Sequence, residues 1–339
     1  MVDSPRSGTP ALVVTRTPLR VSFAGGGTDL AAFYEHRDGS VYSTTIDRYV
    51  YVTVKRHGDV FDERIRLNYS MSESVHEIDA IRNNIAREAL RMLEIEPPIY
   101  ISVVSDLPDS SGLGGSSSFA VGLLNALHMY RGEIVTARQL AEEASAIEID
   151  VLREPIGMQD QYAAAFGGLN LFRFCSGGQV AVESQHVRRD VVDLLFDHLL
   201  MLWTGHQRRT SSVLTEQRDR TEEHLDQLST MAEYAYVAQR ALRNGGFDPA
   251  SFGRMLDETW QLKRSLASTI TTSRIDEWYG AASAAGAYGG KLCGAGGGGF
   301  LLFVAPPERH QAIIDAVGGL TPVRIRYEPR GTHVLLPSG

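Results

Sequence analysis

Eleven residues, P-D-S-S-G-L-G-G-S-S-S from Pro108 to Ser118, separate the strand pattern I-Y-I-S-V-V from an apolar helical run ending near Tyr130. A strand, a glycine-rich turn and a helix in that order gather free backbone N–H groups and the positive end of a helix dipole at one point. Glycine lets those amides approach a ligand closely. Serine hydroxyls add donors, and one of them can ligate Mg²⁺. A triphosphate needs all of these. The run is neither the G-x-x-x-x-G-K-[ST] phosphate loop nor a G-x-G-x-x-G fingerprint. A flexible strand-to-helix turn capped by serines accounts for the same residues without any ligand.

Around that turn the periodicities predict an α+β chain. A strand is expected over about 12–24, ending in Gly25 to Gly27 and then Thr28-Asp29. A Val-, Ile-, Thr- and Tyr-rich strand follows over 41–55, and R-I-R-L-N-Y at 64–69 alternates and pairs nearby. Apolar spacing at Ile78, Ile81, Ile85, Ala89 and Met92 predicts a helix over 76–94. Thr136 with Gln139 signals a capped helix over 137–152. The chain turns at Pro155 and Gly157, passes a short helix ending at Gly167-Gly168, and continues in strands near 169–174 and 179–184. Past residue 186 come the strand L-L-M-L-W-T, a long helix over 212–243, and helices over 248–268 and 274–286. A glycine loop, Gly294 to Gly299, leads into F-L-L-F-V, a last helix opened by Pro306-Pro307, and two short strands. The expected division is a loose tail over 1–11, an α+β domain over 12–185 and a second over 186–339. No internal repeat or low-complexity linker interrupts it.

Four further features carry chemical groups. Stepping about 100° per residue puts Glu148 between Ala144 and Ala141 on the apolar arc of its helix, while Glu142, Glu143 and Asp150 point away. A carboxylate buried alone is costly, so Glu148 needs a cation or a partner; a helix-edge pair with an arginine is the plainer reading. In G-M-Q-D-Q, Asp160 either caps the helix that follows or orients a substrate hydroxyl. Arg20 and Asp29 flank the Gly25–Gly27 turn, where a surface ion pair is the plainer alternative. The run K-L-C-G-A-G-G-G-G, residues 291–299, is too glycine-rich for a mere hairpin, so its backbone must lie close to something.

Composition closes off other classes. Forty-one acidic residues against thirty-three basic ones give a net charge of −8, which opposes a broad nucleic-acid surface. Two cysteines cannot build a disulfide framework, and no apolar run is long enough to cross a membrane. With no apolar stretch in M-V-D-S-P-R-S-G-T-P-A, a cytoplasmic protein without a signal peptide is expected. H-E-x-x-H, paired C-x-x-C and G-x-S-x-G are absent, which weakens zinc and serine-hydrolase chemistry. The ten histidines are scattered, as surface or core histidines are.

T-P-L-R-V-S-F-A-G-G-G-T-D, the Pro108–Ser118 run and K-L-C-G-A-G-G-G-G-F, with G-M-Q-D-Q between the last two, resemble the motifs of the GHMP small-molecule kinases. This is the galactokinase, homoserine, mevalonate and phosphomevalonate kinase superfamily, and the resemblance runs from about Thr15 to Val304. T-I-D-R-Y-V-Y-V, Q-D-Q-Y-A-A-A-F-G-G-L-N and W-T-G-x-x-R resemble the D-glycero-D-manno-heptose 7-phosphate kinase branch, related to the kinase part of fucokinases. Galactokinase-type enzymes carry an acidic residue and a histidine where this chain has Gly26 and Gly27, which argues against galactose.

The resemblance implies a two-domain fold: a ribosomal S5 domain 2-like N-terminal domain and a ferredoxin-like α/β sandwich. It implies ATP phosphates held by Ser110, Ser111, Gly112, Leu113, Gly114, Gly115, Ser116 and Ser117. Mg²⁺ would sit on Ser116 and Glu148, with Ser117 as the alternative serine. Asp160 matches the catalytic aspartate and Arg20 the arginine that pairs with it. Substrate contacts fall to Gly26, Gly27, Thr28, Asp29, Gln159, Thr204, Gly205, Arg208, Gly296 and Gly297, with Arg48 and Lys291 as further cations for a phosphate. The implied reaction is transfer from ATP to the anomeric hydroxyl of a sugar phosphate, by a monomer or homodimer with no nucleic-acid or membrane partner. A free-sugar 1-kinase, such as an L-fucose kinase, and a non-catalytic sugar or nucleotide sensor are the alternatives.

Overall fold

Two sheets, joined by helices that pack on both, make up the computed structural model. It describes residues 10–338 except 59, 208, 209, 244 and 245. The first sheet holds β1 (Leu12–Ala24), β2 (Gly39–Arg56), β3 (Ile65–Asn68), β4 (Ser72–Val75), β5 (Ile99–Ser105), β6 (Leu169–Cys175), β7 (Gln179–Ser184) and β12 (His333–Ser338). Its main path is β12-β1-β2-β5-β3-β4. The long β2 changes partner along its length: Gly39–Thr44 pairs with β6, and Val50–Arg56 pairs with β5. The same half carries α1 (Ala31–Tyr34), α2 (Asn84–Met92), α3 (Gly115–Tyr130), α4 (Ala137–Ser145) and α5 (Gln159–Phe166), of which α3 and α5 pack directly on β1 and β2.

The second sheet has β8 (Leu199–Trp203), β9 (Gly289–Leu292), β10 (Phe300–Val304) and β11 (Thr321–Val323) in the order β11-β8-β10-β9, all antiparallel. That is the strand order of a ferredoxin-like sandwich, and the α+β class is as expected. Its helices are α6 (Arg189–His198), α7 (Thr210–Asp219), α8 (Leu225–Arg243), α9 (Pro249–Arg264), α10 (Ser273–Ala284) and α11 (His310–Val317).

Alternation along β8 and β10 divides their side chains between two cores. Leu199, Met201, Phe300, Leu302 and Val304 join the core of the first sheet. Leu200, Leu202, Leu301 and Phe303 join a second cluster with Trp260 and Trp278. Helices α8 and α9 tie the halves together: Ser40 donates to the Ala232 carbonyl at 2.7 Å, and Phe23 meets Phe252 edge-on at 5.3 Å. The junction where the site forms is therefore set by packed apolar contacts.

Several expectations are corrected. The helix expected over 76–94 starts only at Asn84. Glu73 accepts the backbone N–H groups of Arg82 and Asn83, and Asn83 caps the helix through the N–H of Ala86. Ser72–Val75 is a strand paired with β3. The helix expected over 212–243 breaks after Asp219 into a 3₁₀ turn, Glu222–His224. Like β4, the short α1, α6 and β9 went unread. Only Asp197-His198 separates V-V-D-L-L-F from L-L-M-L-W, with no Gly or Pro to mark the helix end, and G-G-K-L is a strand only because β10 pairs with it. The last strand, β12, pairs antiparallel with β1, so residues 333–338 return to the first sheet and do not belong with the half beginning at 186. Most of the 1–11 tail lies outside the described residues.

Candidate active site

Arg20 sits on β1 with only 5% of its surface exposed, and each of its three guanidinium nitrogens donates a hydrogen bond. Nε and Nη2 donate to Asp160 Oδ1 and Oδ2, each at 2.7 Å, and Nη1 donates to the Gly112 carbonyl at 2.7 Å. The planar fork suits a carboxylate in a way a lysine would not. The Arg20 backbone N–H also donates to the Leu113 carbonyl at 3.0 Å. One residue thus locks Asp160, in the first turn of α5, against the glycine–serine turn.

That turn has the geometry its glycines require. Gly114, the residue before α3, has φ +77°, and a Cβ there would lie 3.3 Å from the Asp160 carboxyl. A Cβ at Gly294 would lie 2.4 Å from Gly112 Cα, so the second glycine loop packs backbone to backbone on the first. The free N–H groups at the start of α3 face the same cavity as Asp160.

Glu148 is 1% exposed, in a π-helical turn, Ala146–Val151, that continues α4. Such turns recur at functional positions. Oε1 accepts from Ser116 Oγ at 2.8 Å and Oε2 from Gln161 Nε2 at 2.7 Å. Burial pushes the Glu148 carboxyl up to about 7, against the hydrogen bonds that Ser116, Ser117 and Gln161 supply. The Ser116 bond favours Ser116 as the carboxylate's companion. A hydroxyl and one buried carboxylate are hard oxygen donors that fit Mg²⁺, which keeps waters and takes the rest of its shell from phosphates. Among the described residues, no group of three His, Cys, Asp or Glu side chains could hold a metal.

Asp29 is held on the other wall. Oδ1 accepts from Gly27 N at 3.0 Å, and Oδ2 from Gln159 Nε2 at 3.0 Å and Gln159 N at 3.3 Å. Burial, then the nearby Asp160, raises its carboxyl above the usual carboxylate range despite those bonds. Gly157 makes the approach feasible, since a Cβ there would come within 2.1 Å of Asp29 Oδ2.

These groups line one cavity of about 350 Å³. Of the residues named from sequence, Arg20, Gly26, Gly27, Asp29, Ser110, Ser111, Gly112, Gly114, Gly115, Ser116, Ser117, Glu148, Gln159 and Asp160 reach it. Others do not. Leu113 is fully buried and offers only its carbonyl, to Arg20. Thr28 is spent on the carbonyls of Gly25 and Ser40. Thr204 donates to the Gly299 carbonyl at 2.7 Å, and Gly205 is exposed. Gly296 and Gly297 pack on Ile270. Arg48 is bound to the Asp47 and Arg324 carbonyls. Lys291 donates to the Ser22 carbonyl at 2.8 Å, and burial pushes its amine down to about 7. Arg208 lies outside the described residues.

Among the cavity residues that were missed, two are buried polar side chains from helices of the second half. Lys263 of α9 is 7% exposed and donates to the Gly294 carbonyl; burial, then Arg20, pushes its amine down to about 8. Its signal was legible: it follows Met255, Leu256, Thr259 and Trp260 on the buried arc of α9, as Glu148 does on its own helix. Gln217 of α7 is 3% exposed and also lines the cavity, from a helix whose pattern gave no hint of it.

Residues 80–168 match the family described as GHMP kinases N terminal domain, and residues 238–319 match GHMP kinases C terminal. Over 314 residues the chain is 27% identical to a D-glycero-alpha-D-manno-heptose 7-phosphate kinase of Campylobacter jejuni, taking in 89% of this chain and 92% of that one. It is 25% identical, over 89% of its length, to an L-fucokinase/L-fucose-1-P guanylyltransferase of Bacteroides fragilis, of which it spans 36%. A crystal structure of a D-glycero-D-manno-heptose 1-phosphate kinase from Bacteriodes thetaiotaomicron superposes with a TM-score of 0.79 at 25% identity, covering 96% of this chain and all of that one.

Proposed function

The chain belongs to the GHMP kinases, with their two-domain fold and ATP-dependent chemistry, and from that premise we propose that it phosphorylates the anomeric hydroxyl of a sugar phosphate. D-glycero-D-manno-heptose 7-phosphate, giving the 1,7-bisphosphate, is the substrate we assign. The observation that carries this reading is the Arg20–Asp160 pair, clamped at 2.7 Å beside the glycine–serine turn.

Phosphoryl transfer asks a protein mainly for positioning and charge stabilisation. The N–H groups of the turn and the start of α3 bind the ATP phosphates. Ser116 and Glu148 would hold Mg²⁺, which neutralises charge on the terminal phosphates when bound. Asp160 accepts the proton of the C1 hydroxyl as that oxygen bonds to the γ-phosphorus, and the bond from phosphorus to the β-bridging oxygen breaks to release ADP. An anomeric hydroxyl is more acidic than an ordinary alcohol, so a carboxylate is a sufficient base. Arg20 orients Asp160 and sets a positive charge where the phosphoryl group passes. Asp29 and Gln159 offer polar contacts to the sugar.

One observation favours a second reading, a free-sugar 1-kinase. Among the described lining residues, four carboxylates, Asp29, Glu148, Glu154 and Asp160, face two cations, Arg20 and Lys263. A neutral acceptor suits that balance. ADP release with heptose 7-phosphate, L-fucose, galactose and mannose separates the two. Turnover confined to the phosphorylated heptose supports the first reading, and turnover confined to a free sugar replaces it with the second.

A further inference from the structure

We infer that Gln217, contributed by the second half of the chain, is a specificity-determining contact that donates its side-chain amide to a hydroxyl of the acceptor; this rests on the acceptor being a sugar. The residue is 97% buried, yet among the described residues its Nε2 has no hydrogen-bond partner. Native proteins satisfy almost all buried donors, because an unmet one is costly. Gln217 lines the cavity that holds Asp29 and Asp160; Nε2 itself exposes less than 1 Å², so a turn of the side chain is what brings the amide to a ligand there.

The neighbouring backbone is shaped around this amide. Gly27 has φ +101°, and a Cβ on it would lie 2.2 Å from Gln217 Nε2. Any side chain at position 27 would claim the volume the amide fills. At Gly26 the nearest atoms to a Cβ are Ser22 Oγ at 3.9 Å and Gln159 Nε2 at 4.0 Å, so that side of the cavity stays open for a ligand. Polar recognition that a side chain at 27 would otherwise supply is delivered from α7.

Helix α7 is also held in place. Glu216 accepts from Ser268 N at 2.8 Å, Ser268 Oγ at 2.9 Å and Thr269 Oγ1 at 2.8 Å, anchoring α7 to the turn before Ile270. Thr221 Oγ1 donates to the Gln217 carbonyl at 3.0 Å. Gln159, which also lines the cavity, spends Nε2 on Asp29 and among the described residues leaves its Oε1 unpartnered. A free donor and a free acceptor on two residues of one cavity wall match a polyol, whose hydroxyls both donate and accept.

The test measures KM for the sugar and for ATP in wild type, Gln217→Met and Gln217→Glu, using heptose 7-phosphate, L-fucose and monodeoxy analogues of whichever is turned over. Both variants should raise the sugar KM about tenfold or more, with the ATP KM unchanged. One deoxy analogue should be used equally well by wild type and Gln217→Met, because the hydroxyl that Gln217 reads is gone. Gln217→Asn, which withdraws the amide by one methylene, should fall between. An unchanged sugar KM overturns the inference, and so does an equal rise in both KM values, the mark of a merely structural role. A wild-type enzyme that neither binds nor phosphorylates a sugar overturns the sugar reading and this inference with it. An active wild type with insensitive variants overturns this inference alone.

Discussion

Arg20 and Asp160 stand 140 residues apart in the chain, and their side chains meet through two parallel hydrogen bonds of 2.7 Å. The third arm of the guanidinium holds the Gly112 carbonyl. A strand, a helix and the glycine–serine turn therefore share one anchor. Replacing Asp160 by Asn keeps its shape and removes its basicity. Steady-state kinetics should show turnover lower by on the order of 10²-fold or more, while nucleotide titration shows ATP binding retained. A near-normal rate would remove Asp160 from the chemistry.

Glu148 reports on the metal. Glu148→Gln keeps the Gln161 and Ser116 neighbours but loses the charge. The Mg²⁺ concentration for half-maximal rate should rise by about tenfold, and chelation with EDTA should silence the wild type. An unshifted Mg²⁺ titration would make the Ser116–Glu148 bond purely structural.

Lys263 and Arg20 are the two cations of the cavity among the described residues. With its amine pushed down to about 8 by burial, Lys263 is charged below that pH and neutral above it. Its attraction for substrate phosphates is present at pH 7 and is lost as pH rises through about 8. The kcat/KM profile should fall there in wild type. In Lys263→Met it should start lower and run flat across that window; a fall near pH 8 that survives the substitution would assign it to another group.

His128 offers a pH test remote from the site. Its two ring nitrogens lie 2.8 Å from Glu133 and from Glu143, which ties the end of α3 to α4. Burial alone would lower its pKa, but hydrogen bonds to Glu143 and Glu133 overcome it and raise the ring above the usual histidine value. The stability gained is fully present below about pH 6.5 and is lost as pH rises through the raised pKa. Between pH 6 and 9 the wild-type thermal midpoint should drop by on the order of 2 °C relative to His128→Gln. Parallel pH curves for the two proteins would show that the clamp contributes nothing.

Most of the site was legible because its chemistry is written in local patterns. A carboxylate on an apolar arc, glycines beside serines, and an acid after a turn each mark a residue that ordinary packing would not choose. Glu148 fits its arc even though the segment is π-helical. Local pattern failed where contacts between distant segments decide. Thr204 sits in a suggestive W-T-G run but is spent holding Gly299, and G-G-K-L becomes a strand only by pairing with β10. β12 looked like a tail to the second half, yet β1 offers it an open edge. Gln217 was invisible because its role depends on the side chain that Gly27 lacks.

Phosphorus NMR of ATP incubated with heptose 7-phosphate, comparing wild type with Asp160→Asn, bears most directly on the kinase assignment. A new anomeric phosphate resonance, growing with wild type and absent with Asp160→Asn, is the result expected. Inorganic phosphate released with no new anomeric phosphate resonance, or the same resonance at equal rate from the variant, would contradict it.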